Sequence, residues 1–210
     1  FSSTPRPGQP GIRGEDWLGS GPDTFIVLPA HYATAHYATL AATGRLDPDS
    51  LVEDSTDGGL LEMIGAEHSP GMAVTSGSLG IALGVAVGRA IARQQQQKPG
   101  TLWVLLSDGE MQEGSTWEAL QLAVAHRLDN LRIVLDRNNM QVDGQMPQVM
   151  PIGDVADKLK AFGLGVWEHF AHDIPGLAAK LTDLATHPGP AVLVSQSEPW
   201  RGFAVLEARW

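Results

Sequence analysis

The chain has 210 residues, 43% of them hydrophobic, which suits one domain of generous size with a real core. Its 14 Lys and Arg against 24 Asp and Glu leave a net charge of −10, which argues against nonspecific binding to nucleic acid or to anionic membranes. Cysteine is absent, so a disulfide framework, a thiolate metal site and a cysteine nucleophile are excluded.

Residues 1–23 are rich in Gly, Pro and Ser with little apolar periodicity and read as a flexible N-terminal arm; residues 24–210 read as a single domain. A short strand is expected at 25–28. A helix follows over 30–43, stopped by Gly44. His31 and His36 within it lie about 140° apart around a helix, so they make no metal-binding pair, and His36 reads as a packed or surface histidine. Residues 46–64 are polar and predict a short helix and a loop. Residues 72–88 lie within the longest uncharged span, but they are dense in Gly, Ser and Thr and short of the roughly 20 apolar residues of a membrane crossing. With no secretory leader visible, a soluble, cytoplasmic protein is expected. A helix runs on to about residue 95, with Gly80, Gly84 and Gly88 at four-residue spacing. Each internal glycine costs about 1 kcal/mol relative to alanine, which close packing must offset, either inside the domain or against another protein chain.

The most informative stretch is 101–144. Its apolar runs at 102–106 and 131–135 have the length and composition of buried parallel strands. Between them residues 116–126 carry Trp117, Leu120, Ala123 and Val124 at helical spacing, with Ser115 as the expected N-cap. A right-handed βαβ crossover brings both strand ends to one edge of the sheet, so Asp108 and Asn138 can aim oxygens at one point. A carboxylate and an amide oxygen there suit magnesium, which is held by one or two protein carboxylates together with substrate phosphates. Gly109 lets the backbone approach a phosphate, and the helix that follows turns its amino-terminal dipole toward the same region. The plain alternative is an ordinary strand-end Asp and a turn Asn-Asn. Beyond a connector at 145–154, helices are expected at 154–162 and 174–186 and strands at 165–169 and 191–195, with His169, His172 and His187 at ordinary boundary positions. This alternation predicts a three-layer α/β fold, a mostly parallel sheet with helices on both faces.

Ser107-Asp108-Gly109, Glu113-Gly114, Asn138 and Asp143-Gly144, without a gap in their spacing, resemble the diphosphate-binding domain of thiamine diphosphate enzymes of the transketolase group. The resemblance implies thiamine diphosphate and Mg2+ as cofactors, with Asp108, Asn138 and the Met140 carbonyl on the metal. Gly109 and Glu110 would lie beside the cofactor, and Glu113 would belong to a proton relay at a contact between subunits. Thr75-Ser76-Gly77-Ser78-Leu79-Gly80 is similar to the element whose backbone touches the aminopyrimidine ring, which places Gly77, Ser78 and Leu79 at the cofactor. His31 matches, counted back from Gly44, a histidine that reaches cofactor and substrate; His68 is a positional candidate in a shortened loop.

Several features depart from the family's pattern: no Ser-Gly-His-Pro-like segment near the start, Ile81 where glutamine is common, and no Lys-Gly-Lys-Gly-like turn or late histidine after the last strand. Arg201 is the candidate for the missing positive charge. A 210-residue chain has no room for the two further domains of a full transketolase. The resemblance therefore implies the small subunit of a split enzyme, inert alone, that transfers a two-carbon ketol unit to an aldehyde together with a partner chain. A heterotetramer is implied. The decarboxylating component of a 2-oxoacid dehydrogenase and a noncatalytic regulatory subunit are the alternatives.

Overall fold

A computed structural model of the chain describes residues 22–207. The strands are β1 (Thr24–Val27), β2 (Leu102–Ser107), β3 (Leu131–Arg137), β4 (Met140–Gln141), β5 (Gly144–Gln145), β6 (Gly165–Phe170) and β7 (Ala191–Gln196). The helices are α1 (Ala33–Ala42), α2 (Ala82–Gln95), α3 (Gly114–Ala125), α4 (Met146–Val149), α5 (Val155–Ala161), α6 (Ile174–Ala185) and α7 (Ala204–Glu207). Five strands make one sheet in the order β1-β2-β3-β7-β6, every pair parallel. The other two form a small antiparallel hairpin. The expected flexible arm lies outside the described residues except for its last two. Those two are held, because the Arg93 guanidinium donates to the Pro22 carbonyl and the Thr101 amide donates to the Asp23 carboxylate.

Side-chain alternation along the strands builds two unequal layers. Leu102, Val104 and Leu106 of β2 join Leu131, Ile133 and Leu135 of β3 and the apolar faces of α2, α3 and α5 in the main core. On the opposite face Trp103, Trp167, Ala191 and Leu193 pack with Leu177, Leu181 and Leu184 of α6. That division follows from crossover handedness. The chain steps forward from β2 to β3 through α3 but backward from β6 to β7 through α6, so two right-handed crossovers put their helices on opposite faces.

One buried cation locks the second layer. Arg132, 2% exposed, donates to the backbone carbonyls of Leu131, Ala185, His187 and Gly189 at 2.6–3.2 Å. It ties the carboxyl-terminal end of α6, where carbonyls lack partners and the helix dipole is negative, to the sheet.

Several local expectations are corrected. The helix expected over 30–43 opens as a tight 3-10 turn, Ala30–Tyr32, before α1. In α3 the capping position is Glu113, not Ser115, and Glu113 makes no side-chain capping bond; the Ser115 hydroxyl instead donates to the Gly80 carbonyl at 2.8 Å. The connector expected at 145–154 holds the second residue of β5 and the short helix α4. Gly80 precedes α2, at φ +80°, and is packed so closely on Glu113 and Ser115 that a Cβ would stand 2.6 Å from each. Gly84 and Gly88 face open space: apart from their own stretch of helix, no described atom lies within 4 Å of a Cβ built on either. They are therefore not used for packing within the described domain. Among the described residues no helix is long and apolar enough to cross a membrane.

Candidate active site at the carboxyl edge of the sheet

The β2 and β3 strands run in register, Ser107 beside Asp136, and deliver Asp108 and Asn138 to the same edge. The Asp108 amide donates to the Asp136 carbonyl at 3.0 Å, extending the ladder by one bond. The Asp108 side chain is 1% exposed and its Oδ2 accepts from the Asn139 amide at 2.7 Å. Its Oδ1 is buried and has no hydrogen-bond partner. Burial foremost, and the nearby Asp136 carboxylate, push the Asp108 carboxyl up to about 6, against the Asn139 amide, which pulls it down.

Asn138 is held on three sides. Its Nδ2 donates to the Tyr32 hydroxyl oxygen at 2.9 Å and to Asp136 Oδ2 at 3.0 Å, while its Oδ1 accepts from the Met140 amide at 2.8 Å. The Tyr32 hydroxyl donates to Asp136 Oδ2 at 2.6 Å, and the Ser197 hydroxyl, from the end of β7, donates to Asp136 Oδ1. Burial, with Asp136 beside it, raises the Tyr32 phenol far above its ordinary value. Ends of three strands therefore converge on one carboxylate.

The segment carrying Gly77, Ser78 and Leu79 lies against the Asp108 turn. Leu79 Cδ1 would be 3.7 Å from a Cβ on Gly109, and the Gly80 amide donates to Glu110 Oε2 at 2.5 Å. Glu110 is fully buried, its other oxygen has no partner, and burial raises its carboxyl above the usual range. The Ser76 hydroxyl anchors the same segment to the Leu28 carbonyl at the end of β1. Gly109 needs neither a positive φ nor relief from a clash, since its nearest neighbours stand 3.7–3.8 Å from a Cβ. The fold alone does not demand glycine there, and the space it leaves is open to something else.

His31 sits next to this network, its ring edge-on to Tyr32 at 4.8 Å, exposed, and shifted below the usual histidine range by partial burial. His68 stands apart. It is 67% exposed and pairs with Glu62 at 3.0 Å; its loop is tied to the β1 end through the Gly65 amide on the Ala30 carbonyl. Glu113 is exposed at the start of α3. His36 is buried and meets the Gly71 carbonyl at 3.1 Å. Arg201 pairs with Glu198 at 2.6 Å and lies over Phe170; with Arg137, Asn138 and Met140 it lines an open cavity of about 690 Å³.

Sequence reasoning missed Tyr32, Asp136 and Ser197. For Asp136 a signal existed: it is a carboxylate in the last two residues of the strand that delivers Asn138. Tyr32 and Ser197 carry no such mark, since only the folded chain brings residues 104 and 61 positions away onto Asp136.

Among the described residues no three His, Cys, Asp or Glu side chains converge to hold a metal ion. The oxygens available here are the unpartnered Asp108 Oδ1 and an Asn138 Oδ1 with a lone pair to spare, at adjacent strand ends beside the Asp136 carboxylate. That is a poor all-protein cage but fits magnesium, which keeps waters and shares ligands with phosphates.

A parallel sheet with these polar side chains gathered at its carboxyl edge is of the open α/β type that receives ligands beyond the strand ends. Residues 54–194 match the family described as transketolase, thiamine diphosphate binding domain, and the chain belongs to that family. It is 36% identical over 211 residues to a transketolase family protein of Sinorhizobium fredii, covering 99% of this chain and 73% of that one. It is 31% identical over 196 residues to one of the subunits of the apulose-4-phosphate transketolase of Actinobacillus succinogenes, covering 93% of this chain and 71% of that one. The structure of transketolase from Leishmania mexicana superimposes with a TM-score of 0.78 at 27% identity, over 87% of this chain and 29% of that one.

Proposed function

We propose that this chain is the small subunit of a split transketolase-like enzyme, which binds the magnesium-diphosphate end of thiamine diphosphate for transfer of a two-carbon ketol unit to an aldehyde. The observation that carries the proposal is the buried, unpartnered Oδ1 of Asp108. A carboxylate held out of water beside another carboxylate is costly unless a cation joins it. Asp108, Asn138 and the Met140 carbonyl would hold the Mg2+. Gly109 and Glu110 on one side, and Gly77, Ser78 and Leu79 on the other, would receive the cofactor.

When bound, thiamine diphosphate supplies the electron sink for breaking and making a carbon–carbon bond next to a carbonyl. The chain's own part is to fix the diphosphate end, to shield it on the sheet edge and to handle protons. His31, shifted toward its neutral form, is suited to accept a proton at the substrate; His68, exposed and paired with Glu62 apart from this network, is the second candidate. Glu113, exposed on α3, is suited to a relay completed by a second protein chain.

The split reading is supported by matched lengths. The match covers 71% of the Actinobacillus succinogenes transketolase subunit but only 29% of the Leishmania mexicana transketolase. Less than a third of the former remains, too little for the two further domains that a one-chain transketolase carries. A partner chain would bring the pyrimidine-binding and carboxyl-terminal domains.

The deciding assay incubates purified chain with thiamine diphosphate, Mg2+ and a panel of ketose phosphates and 2-oxoacids, with and without the partner. Turnover only with the partner, and with a ketose donor, is the expected result. Turnover by the lone chain refutes the split arrangement, and a 2-oxoacid donor moves the enzyme to the decarboxylating class.

A further inference from the structure

We propose that Tyr32, working with Asp136, is a positioning residue that sets which end of the Asn138 carboxamide faces the metal site. The inference rests on the proposed role of Asn138 as a metal ligand and goes beyond it. A carboxamide is nearly symmetrical in shape but not in chemistry: its oxygen ligates a hard cation and its nitrogen repels one. Some device must choose between the two orientations.

The hydrogen bonds around Asn138 make that choice. Asp136 Oδ2 has only lone pairs to offer. The Tyr32 hydroxyl has a single hydrogen, and it is directed to Asp136 at 2.6 Å, so toward Asn138 the phenol also offers only lone pairs. Both neighbours on this side therefore demand a donor, and the Asn138 Nδ2 supplies it at 2.9 and 3.0 Å. On the other side the Met140 amide is a donor and demands the oxygen, at 2.8 Å. Flipping the amide would set oxygen against two acceptors and nitrogen against a donor.

Asp136 is itself aimed. The Ser197 hydroxyl holds its other oxygen from the β7 end, so the carboxylate plane is fixed from two directions. Tyr32 reaches the same point from the 3-10 turn that follows β1. Outer partners of this kind commonly alter metal affinity about 10- to 100-fold when removed. The remaining Asn138 oxygen lone pair is left for the cation.

The test is a double-mutant cycle read by binding rather than turnover. Manganese is titrated calorimetrically into the chain with inorganic diphosphate as the probe, for wild type, Tyr32→Phe, Asn138→Ala and the double variant, each with its melting temperature in EDTA. Tyr32→Phe is expected to weaken manganese binding about tenfold in the wild-type background and less than about twofold where Asn138 is already alanine. Asp136→Asn, which can present a donor or an acceptor to Asn138, is the second variant and should show the same dependence with a larger loss. An equal loss in both backgrounds, or no loss in either, overturns the positioning role. If Asn138→Ala alone binds manganese as tightly as wild type, what fails is the reading of Asn138 as a ligand, a distinguishable result.

Discussion

Asp108→Asn is the substitution for which stability and function should move in opposite directions. In the metal-free protein the Asp108 carboxyl is held at about 6, against 3.8 for a free aspartate, chiefly because it is buried. At about 1.4 kcal/mol per pH unit, the fold carries on the order of 3 kcal/mol of destabilisation from this group at neutral pH. Asparagine has nearly the same shape, keeps an oxygen for the Asn139 amide and bears no charge. Below about pH 3 the wild-type carboxyl is largely protonated both folded and unfolded, and the two proteins should be equally stable. As the pH rises from about 4 to about 6 the unfolded chain ionises first, so wild-type stability falls; above that the whole cost is present. Urea unfolding in EDTA should therefore give midpoints that coincide near about pH 3 and separate by about 1 M in favour of Asp108→Asn at about pH 7.5. With Mg2+ and thiamine diphosphate at about 100 times the dissociation constant, the wild type should regain about 2.7 kcal/mol and the variant nothing. A variant less stable than wild type in EDTA at neutral pH, or a gap that does not change with pH, would refute the reasoning.

Arg132→Met keeps much of the side chain's volume but strips four backbone carbonyls of their donor, and should cost about 3 kcal/mol in urea unfolding. Arg132→Lys should recover less than half of that, because one ammonium cannot span carbonyls from residues 131 to 189 as a planar guanidinium does. Gly80→Ala combines a positive φ with a Cβ 2.6 Å from Glu113 and Ser115; it should lower stability by about 2 kcal/mol and weaken thiamine diphosphate binding through the displaced Leu79 segment, read by fluorescence titration. Glu110→Gln retains an oxygen for the Gly80 amide and removes a desolvated carboxyl, so at about pH 8 its melting temperature should equal or exceed that of wild type, whereas Glu110→Ala should lower it.

The frame of the fold was legible because its determinants are local and repetitive. Runs such as Leu102 to Leu106 are long enough and apolar enough on both faces to need burial on both, and β2 and β3 appear where they stand, each extended by one or two polar residues that continue the ladder. Where the sequence misled, a tertiary contact had overruled a local preference. Ser115 is a good capping residue by composition, yet its hydroxyl serves Gly80 across the α2–α3 gap and leaves Glu113 at the cap. The hairpin of β4 and β5 leaves no mark in the sequence, since strands of two residues have no detectable period.

The candidate site divides in the same way. Asp108, Gly109 and Asn138 could be placed from the sequence because strand ends and sequence spacing locate them, one residue type at a time. What orients them could not, since a hydrogen-bond network depends on which donor meets which acceptor across 61 to 106 residues of chain. Tyr32 shows the difference. By its neighbours it is an aromatic residue next to a candidate histidine; in the fold its one hydroxyl hydrogen, spent on Asp136, decides what the carboxamide of Asn138 presents. The turn that carries His31 also sets a phenol beside it, whose oxygen accepts from the Asn138 amide from the β1 side. The substitution that would separate these views is Tyr32→Phe, whose effect on metal binding should vanish once Asn138 has no amide to orient.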